Sequence, residues 1–237
     1  MIIKGPLITG VFIERPNRFI TLVEVNGKIV RSHLPDPGRL KELLIPGTEV
    51  LLKPATNLDS RKTKFSTVMV RFEGRLISLV SALPNKFVKE SIEKNILPML
   101  KNYKIIRPEV PYGNHRFDFL LNNHEGFKFY LEVKSVTYVK NGIARFPDAI
   151  TARGTRHVVA LSELMQSGIN SGILFVCQRD DPASFEPMWD RDPIFSKALF
   201  EASKMNVNIW CISTTVTETE ITFKRQIPVN LTPPKSG

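Results

Sequence analysis

The sequence predicts two domains in one chain of 237 residues, a small β-barrel followed by a mixed-sheet α/β domain. Three observations predict it. Up to about residue 80, apolar and polar residues alternate in short runs broken by turn residues. From Asn85 the apolar spacing becomes helical. Beyond Arg116, strands paired as hairpins give way to strands alternating with helices. The boundary falls in SALPNK with Pro84 as the break, giving units 1–83 and 84–237.

In the first unit the strands are VFIERPNRF, ITLVEVNGKIVRSHL with a hairpin signal at Asn26-Gly27, GTEVLLKPA, and FSTVMVRFEGRLISLV turning at Gly74. PGRLKELL interrupts them as a helical turn or two. Five or six strands in some 80 residues suit an oligonucleotide-binding (OB-like) barrel or an SH3-like one. The second unit opens with a helix over NKFVKESIEKNILPML, on the spacing of Phe87, Val88, Ile92, Ile96 and Leu97. RFDFLL and FKFYLEVKSV then form a hairpin across NNHEG, and a second hairpin turns at Asn141-Gly142. A helix from about Thr151 to Ser167 closed by Gly168, the strand GILFVCQR, the helix DPIFSKALFEASKM and the strand NIWCIS complete it.

Lys and Arg number 33 against 23 Asp and Glu, a formal charge of +10. The first 83 residues hold 13 basic and 7 acidic side chains, so more than half of the excess lies in the barrel. Such a field suits an anionic partner, most simply nucleic acid. No run of about 18 apolar residues or signal-peptide pattern is present, which gives the expectation of no membrane partner and a cytoplasmic location. Cys177 and Cys211 sit in apolar stretches and read as buried free thiols. Assembly state is open, a homodimer being one option.

Within the first hairpin, a turn centred near His124 and Glu125 pairs Phe119 with Leu131 and Asp118 with Glu132. Phe117, Phe119, Leu131 and Val133 then take the core face, and Asp118, Glu132 and Lys134 the other. Two carboxylates facing each other repel unless a cation lies between them. Lys134 could be that cation, as a cross-strand salt bridge. A divalent metal is the alternative: two carboxylates with a backbone carbonyl and waters suit Mg²⁺ or Mn²⁺, and an adjacent ammonium would orient or activate a water. If metal is the answer, removing either acid should leave the metal-free fold as stable or more so.

An acid followed on the next strand by Glu-x-Lys, here Asp118 and Glu132-Val133-Lys134, resembles the PD-(D/E)xK nuclease superfamily. That likeness implies a further metal-directed acid from the preceding helix, for which Glu90 is the candidate. RFDFLL, YLEVKSVTYV, ARFPDAITARGTRH, LPDPGRLKELL and ALPNKFVKESI together resemble the sugar fermentation stimulation protein A family over essentially the whole chain. The resemblance implies an OB-like first domain, a PD-(D/E)xK nuclease-like second domain, and a DNA-binding regulatory role in sugar metabolism. Asp36-Pro37 departs from the family's common LPNTGR.

Asp148 or Thr151 would cap the helix that follows RFPDAI, leaving Arg153 and Arg156 near its phosphate-attracting N-terminus; Asp148 could instead assist a metal. In the barrel, Lys53, Arg61, Lys62, Lys64, Arg71 and Arg75 surround Phe65 and Phe72, a mixture suited to nucleic acid backbone contacts. His33 with Arg39 could line a groove. The function expected is a DNA-binding protein with a divalent-metal-dependent nuclease-type site at Asp118, Glu132 and Lys134, assisted by Glu90. The alternatives are a non-catalytic DNA-binding transcriptional regulator on the same fold, and an interaction scaffold whose charge serves solubility.

Overall fold

The computed structural model describes residues 1–56 and 63–234. The N-terminal sheet contains β1 (Ile8–Asn17), β2 (Ile20–Val25), β3 (Lys28–His33), β4 (Glu49–Pro54), β5 (Phe65–Phe72) and β6 (Arg75–Ser78). Its order is β3-β2-β1-β4-β5-β6, and a further pairing of β3 with β5 closes the first five strands into a barrel. Asn26 and Gly27 at the β2–β3 turn both take positive φ, +50° and +74°, as the tight hairpin requires. PGRLKELL forms no helix. Leu43 and Leu44 donate to the Leu40 carbonyl as a single turn, with Leu40 at φ +51° and Leu40, Leu43 and Leu44 plugging the barrel.

The second unit begins with α1 (Leu83–Glu93), shorter than its apolar spacing suggests. Asn95 turns left-handed at φ +53°, ending the helix, so Ile96 is exposed and Leu97 is buried outside it. The second sheet comprises β7 (Tyr103–Tyr112), β8 (His115–Asn123), β9 (Lys128–Val136), β12 (Asn170–Cys177), β14 (Asn208–Val216) and β15 (Ile221–Ile227) in the order β15-β14-β12-β9-β8-β7. β12 runs parallel to both β9 and β14, and the remaining pairs are antiparallel. A small sheet of β10 (Val139–Lys140), β11 (Ile143–Phe146) and β13 (Ser184–Pro187) lies beside it. α2 (Ala152–Gln166) and α3 (Pro193–Lys204) pack on each other. Among the described residues no helix is long and apolar enough to cross a membrane.

Three apolar clusters hold the molecule together. One fills the barrel. A second lies between the large sheet and α2 and α3, and includes Cys177 and Cys211, whose free thiols lie 3.6 Å apart. The third packs α1 on the opposite face of the sheet and takes in Leu51, Val68 and Met69 from the barrel. The apolar seam thus runs across the point where the chain leaves the barrel.

The predicted register of the β8–β9 hairpin is found, with Phe119 opposite Leu131. It stops there. Instead of facing Glu132, Asp118 turns its carboxylate onto the Val133 N–H, which donates to Oδ2 at 2.7 Å. Where the ladder lapses, so does the parity of faces: Phe117 joins the α2 side, against Tyr130 and His157, while Phe119, Leu131 and Val133 face α1. Phe117 therefore does not share the core face of Phe119.

Candidate active site

The lapse in pairing opens a cleft of about 510 Å³ at the end of the β8–β9 hairpin. Asp118, Glu132 and Lys134 line it, with Asn85 from α1, Arg153 from α2 and the barrel loop around Asp36. Each acid is held differently. Asp118 accepts from Val133 N–H and from Asn85 Nδ2, the latter at 2.5 Å. Burial, reinforced by the charge of Glu132, pushes its carboxyl up to about 6 despite those bonds and Lys134. Glu132 is 3% exposed. Burial alone would raise its carboxyl as well. A hydrogen bond from His157 together with the Lys134 ammonium overcomes this and holds it below the usual range.

Both of those partners address one oxygen. Lys134 Nζ and His157 Nδ1 each lie 2.5 Å from Glu132 Oε1, while Oε2 is buried without a hydrogen-bond partner. Arg153 Nε donates to His157 Nε2 at 3.4 Å, which leaves the imidazole proton on Nδ1 for the carboxylate. The cross-strand salt bridge weighed against a metal is thus not what forms: Lys134 pairs with Glu132, two residues away on its own strand, through a single carboxylate oxygen, and among the described residues makes no ion pair with Asp118. An unpaired buried carboxylate oxygen is costly in protein alone, and a hard cation is the partner that would relieve it. The donor set fits such an ion. Mg²⁺ and Mn²⁺ sites are often built on one or two carboxylates with waters, and among the described residues no group of three or more His, Cys, Asp or Glu gathers as a metal cluster.

The other residues singled out in the sequence lie elsewhere. Glu90 is not brought to the acids; its carboxylate lies 3.9 Å from the Met1 ammonium. Asn85 faces Asp118, and a residue five positions on is rotated by about 140° around a helix of 3.6 residues per turn. Thr151, not Asp148, caps α2, its hydroxyl accepting from Gly154 N–H. Asp148 lines the cleft but its oxygens are taken: Leu40 N–H donates to Oδ2 and Arg191 to Oδ1, tying the barrel loop to the α/β domain. Arg156 lies in a neighbouring depression and Arg39 in a third beside Ile150. Lys53 lines a separate cleft with His33, and Lys64 is exposed at the start of β5. Arg71 pairs with Glu49 and Glu218, and Arg75 with Asp180. Phe65 and Phe72 pack onto the barrel core. Arg61 and Lys62 lie outside the described residues.

Two family models match the chain. Residues 13–79 match the SfsA N-terminal OB domain, and residues 82–220 match the sugar fermentation stimulation protein RE domain. The chain belongs to the sugar fermentation stimulation protein family. It is 42% identical to the homolog of Clostridium tetani over 98% of this chain and all of that one. Identity to the homolog of Desulforamulus reducens is 36%, covering 97% and 95% of the two chains. The solved structure of Pyrococcus furiosus SfsA in complex with Ca²⁺ superposes with a TM-score of 0.88 at 28% identity, covering 97% of this chain and 98% of that one.

Within this family member, the site residues that sequence reasoning missed are Asn85 and, as the partner of Glu132, His157. Their signals were faint. Asn85 stands in the first turn of a helix, where a polar residue draws no notice, and His157 is one turn past Arg153 on a face otherwise filled by Gly154, Val158 and Leu161. The loop carrying Asp36, in LPDPGR, reaches the cleft. There Asp36 Oδ1 accepts from Gly38 N–H, and Arg15 spans the backbone carbonyls of Arg18, Asp36, Gly38 and Arg39.

Proposed function

We propose that this protein binds nucleic acid, most simply DNA, and hydrolyses its phosphodiester bonds at Asp118, Glu132 and Lys134 with Mg²⁺ or Mn²⁺. The observation that carries the reading is the buried, unpaired Oε2 of Glu132 beside an Asp118 carboxyl that burial, with the Glu132 charge second, pushes up to about 6. A divalent cation held by these two carboxylates would supply a Lewis acid for a phosphoryl oxygen and a more acidic water. Asn85 and Val133 N–H orient Asp118, and His157 with Lys134 orients Glu132. Lys134, 15% exposed, would present an ammonium to negative charge developing on the phosphate. Arg153 would steady the substrate backbone at the mouth of the cleft. The complex of Pyrococcus furiosus SfsA with Ca²⁺ supports a divalent cation in the family.

Thermal melts with and without Mn²⁺ test the metal, and cleavage of single- and double-stranded DNA tests turnover. Wild type should gain melting temperature with Mn²⁺. Asp118→Asn and Glu132→Gln should not, and neither should cut. Lys134→Ala should keep most of the Mn²⁺ response and lose rate. A Mn²⁺ response without cleavage of any DNA or RNA would favour the non-catalytic regulator. Cleavage surviving in both acid variants would exclude this site.

A further inference from the structure

Beside the carboxylate cleft lies an open depression of about 460 Å³ between the β7–β8 turn and the first turns of α2. His115, Arg116, Arg153, Arg156 and His157 line it. Among the described residues two acids approach its lining: Glu109 lies 3.5 Å from Arg116, in a pair exposed enough to be worth little, and Glu132 meets His157 from the cleft side. Among the described residues no carboxylate forms an ion pair with Arg153 or Arg156. Three guanidiniums gathered at one hollow repel each other unless an anion lies among them, and their planar forks match phosphate oxygens.

The hollow shares its wall with the carboxylate cleft. Arg153 lines both. His157 stands between them, with Nδ1 on Glu132, Nε2 accepting from Arg153, and its ring meeting His115 edge-on at 5.9 Å. We propose that this depression is a second phosphate-binding site, which seats a phosphate of the strand whose neighbouring bond lies at Asp118 and Glu132. The strand rests on the nuclease reading; the phosphate site does not. Its occupant would set which bond of the strand reaches the carboxylates. The phosphate can be a strand terminus, which is nearly dianionic at neutral pH, or an internal diester.

The test has two arms. In the first, melting temperature is measured in inorganic phosphate and in chloride at equal ionic strength. Phosphate should stabilise wild type and the control Lys53→Gln/Lys64→Gln, and should lose its effect in Arg116→Gln/Arg156→Gln, whose two arginines lie outside the carboxylate cleft. Equal phosphate stabilisation of all three proteins would overturn the proposal. In the second, a short DNA with or without a 5′-phosphate is bound in Ca²⁺. The arginine pair variant should bind about tenfold more weakly and lower the salt slope by roughly 1–2, as expected when one or two phosphate contacts are lost. A weakening confined to the 5′-phosphorylated strand identifies a terminal phosphate, and an equal weakening of both identifies an internal one. Unchanged binding of both strands overturns the proposal. The Mn²⁺ shift of the variant should match wild type, so that failure of this site reads differently from failure of the metal site.

Discussion

Asp118 and Glu132 are two carboxylates on one cleft with opposite responses to their surroundings, and their removal should have opposite consequences. Asp118 is favoured protonated in the fold, so its cost is absent below about pH 4, grows as pH rises through about 6, and is complete above. A rise from 3.8 to about 6 corresponds to about 3 kcal/mol. In the presence of a chelator, Asp118→Asn should therefore gain stability over wild type between about pH 4.5 and 7.5, measured by urea unfolding across that range. Glu132 is favoured ionised, so its contribution is present above about pH 4.5 and is lost as pH falls through its lowered value. Glu132→Gln should cost roughly 2–3 kcal/mol at pH 7, because His157 and Lys134 both lose a charged acceptor. The repulsion argument from sequence anticipated relief from removing either acid. We expect relief for Asp118 alone, from burial first and the Glu132 charge second, since the sequence spacing shows the two charges but not the histidine, 25 positions away, that serves one of them.

At the level of secondary structure, the site depends on how α2 begins. Thr151 caps the helix, and Gly154 directly above admits no side chain: a Cβ there would lie 2.8 Å from Thr151 Cγ2 and 3.3 Å from Phe195 Cε2. Asp192, 2% exposed, accepts from Thr151 N–H with Oδ2 and from Phe195 N–H with Oδ1, joining the starts of α2 and α3. Thr151→Ala should cost about 1 kcal/mol, the usual loss of a cap. Asp192→Ala should cost more, about 2–4 kcal/mol, since it strands one buried and one partly buried donor; chemical denaturation at pH 7 reads the difference. The start of this helix was legible from ITARG, the β2–β3 and β10–β11 hairpins from their Asn-Gly signals, and the β8–β9 hairpin from its alternation. β7 was not, because Pro108 and Pro111 speak against a strand and are tolerated here only because β7 is the sheet's edge. The end of α1 was hidden for a related reason. Ile96 and Leu97 keep the apolar rhythm after the left-handed Asn95 has already stopped the helix.

For the molecule as a whole, the two units visible in the sequence differ in architecture yet share a core. Leu51, Val68 and Met69 from the barrel lie in one apolar cluster with Phe87, Val88 and Ile92 of α1 and with the sheet beyond. Asp148 adds a polar tie to the backbone of Leu40. Cutting the chain near Pro84 would expose those faces to water, at about 25 cal/mol for each Å² of apolar surface. Scanning calorimetry of the intact protein should therefore show one transition with matching calorimetric and van't Hoff enthalpies, and Met69→Ala should lower it as a whole, by about 2–4 kcal/mol, without splitting it.

That seam also bears on how the lineage can change. The family models divide at residues 79 and 82, as if a barrel and an α/β half had been joined end to end. With Leu51, Val68 and Met69 packed in the same cluster as α1, neither half is free to drift alone. A larger side chain on the barrel's flank must be answered by a smaller one on the helix. Across descendants of this gene, substitutions on the two sides of the junction should arise in compensating pairs, and an exchange of barrels between distant members should fail unless the facing positions of α1 travel with the barrel.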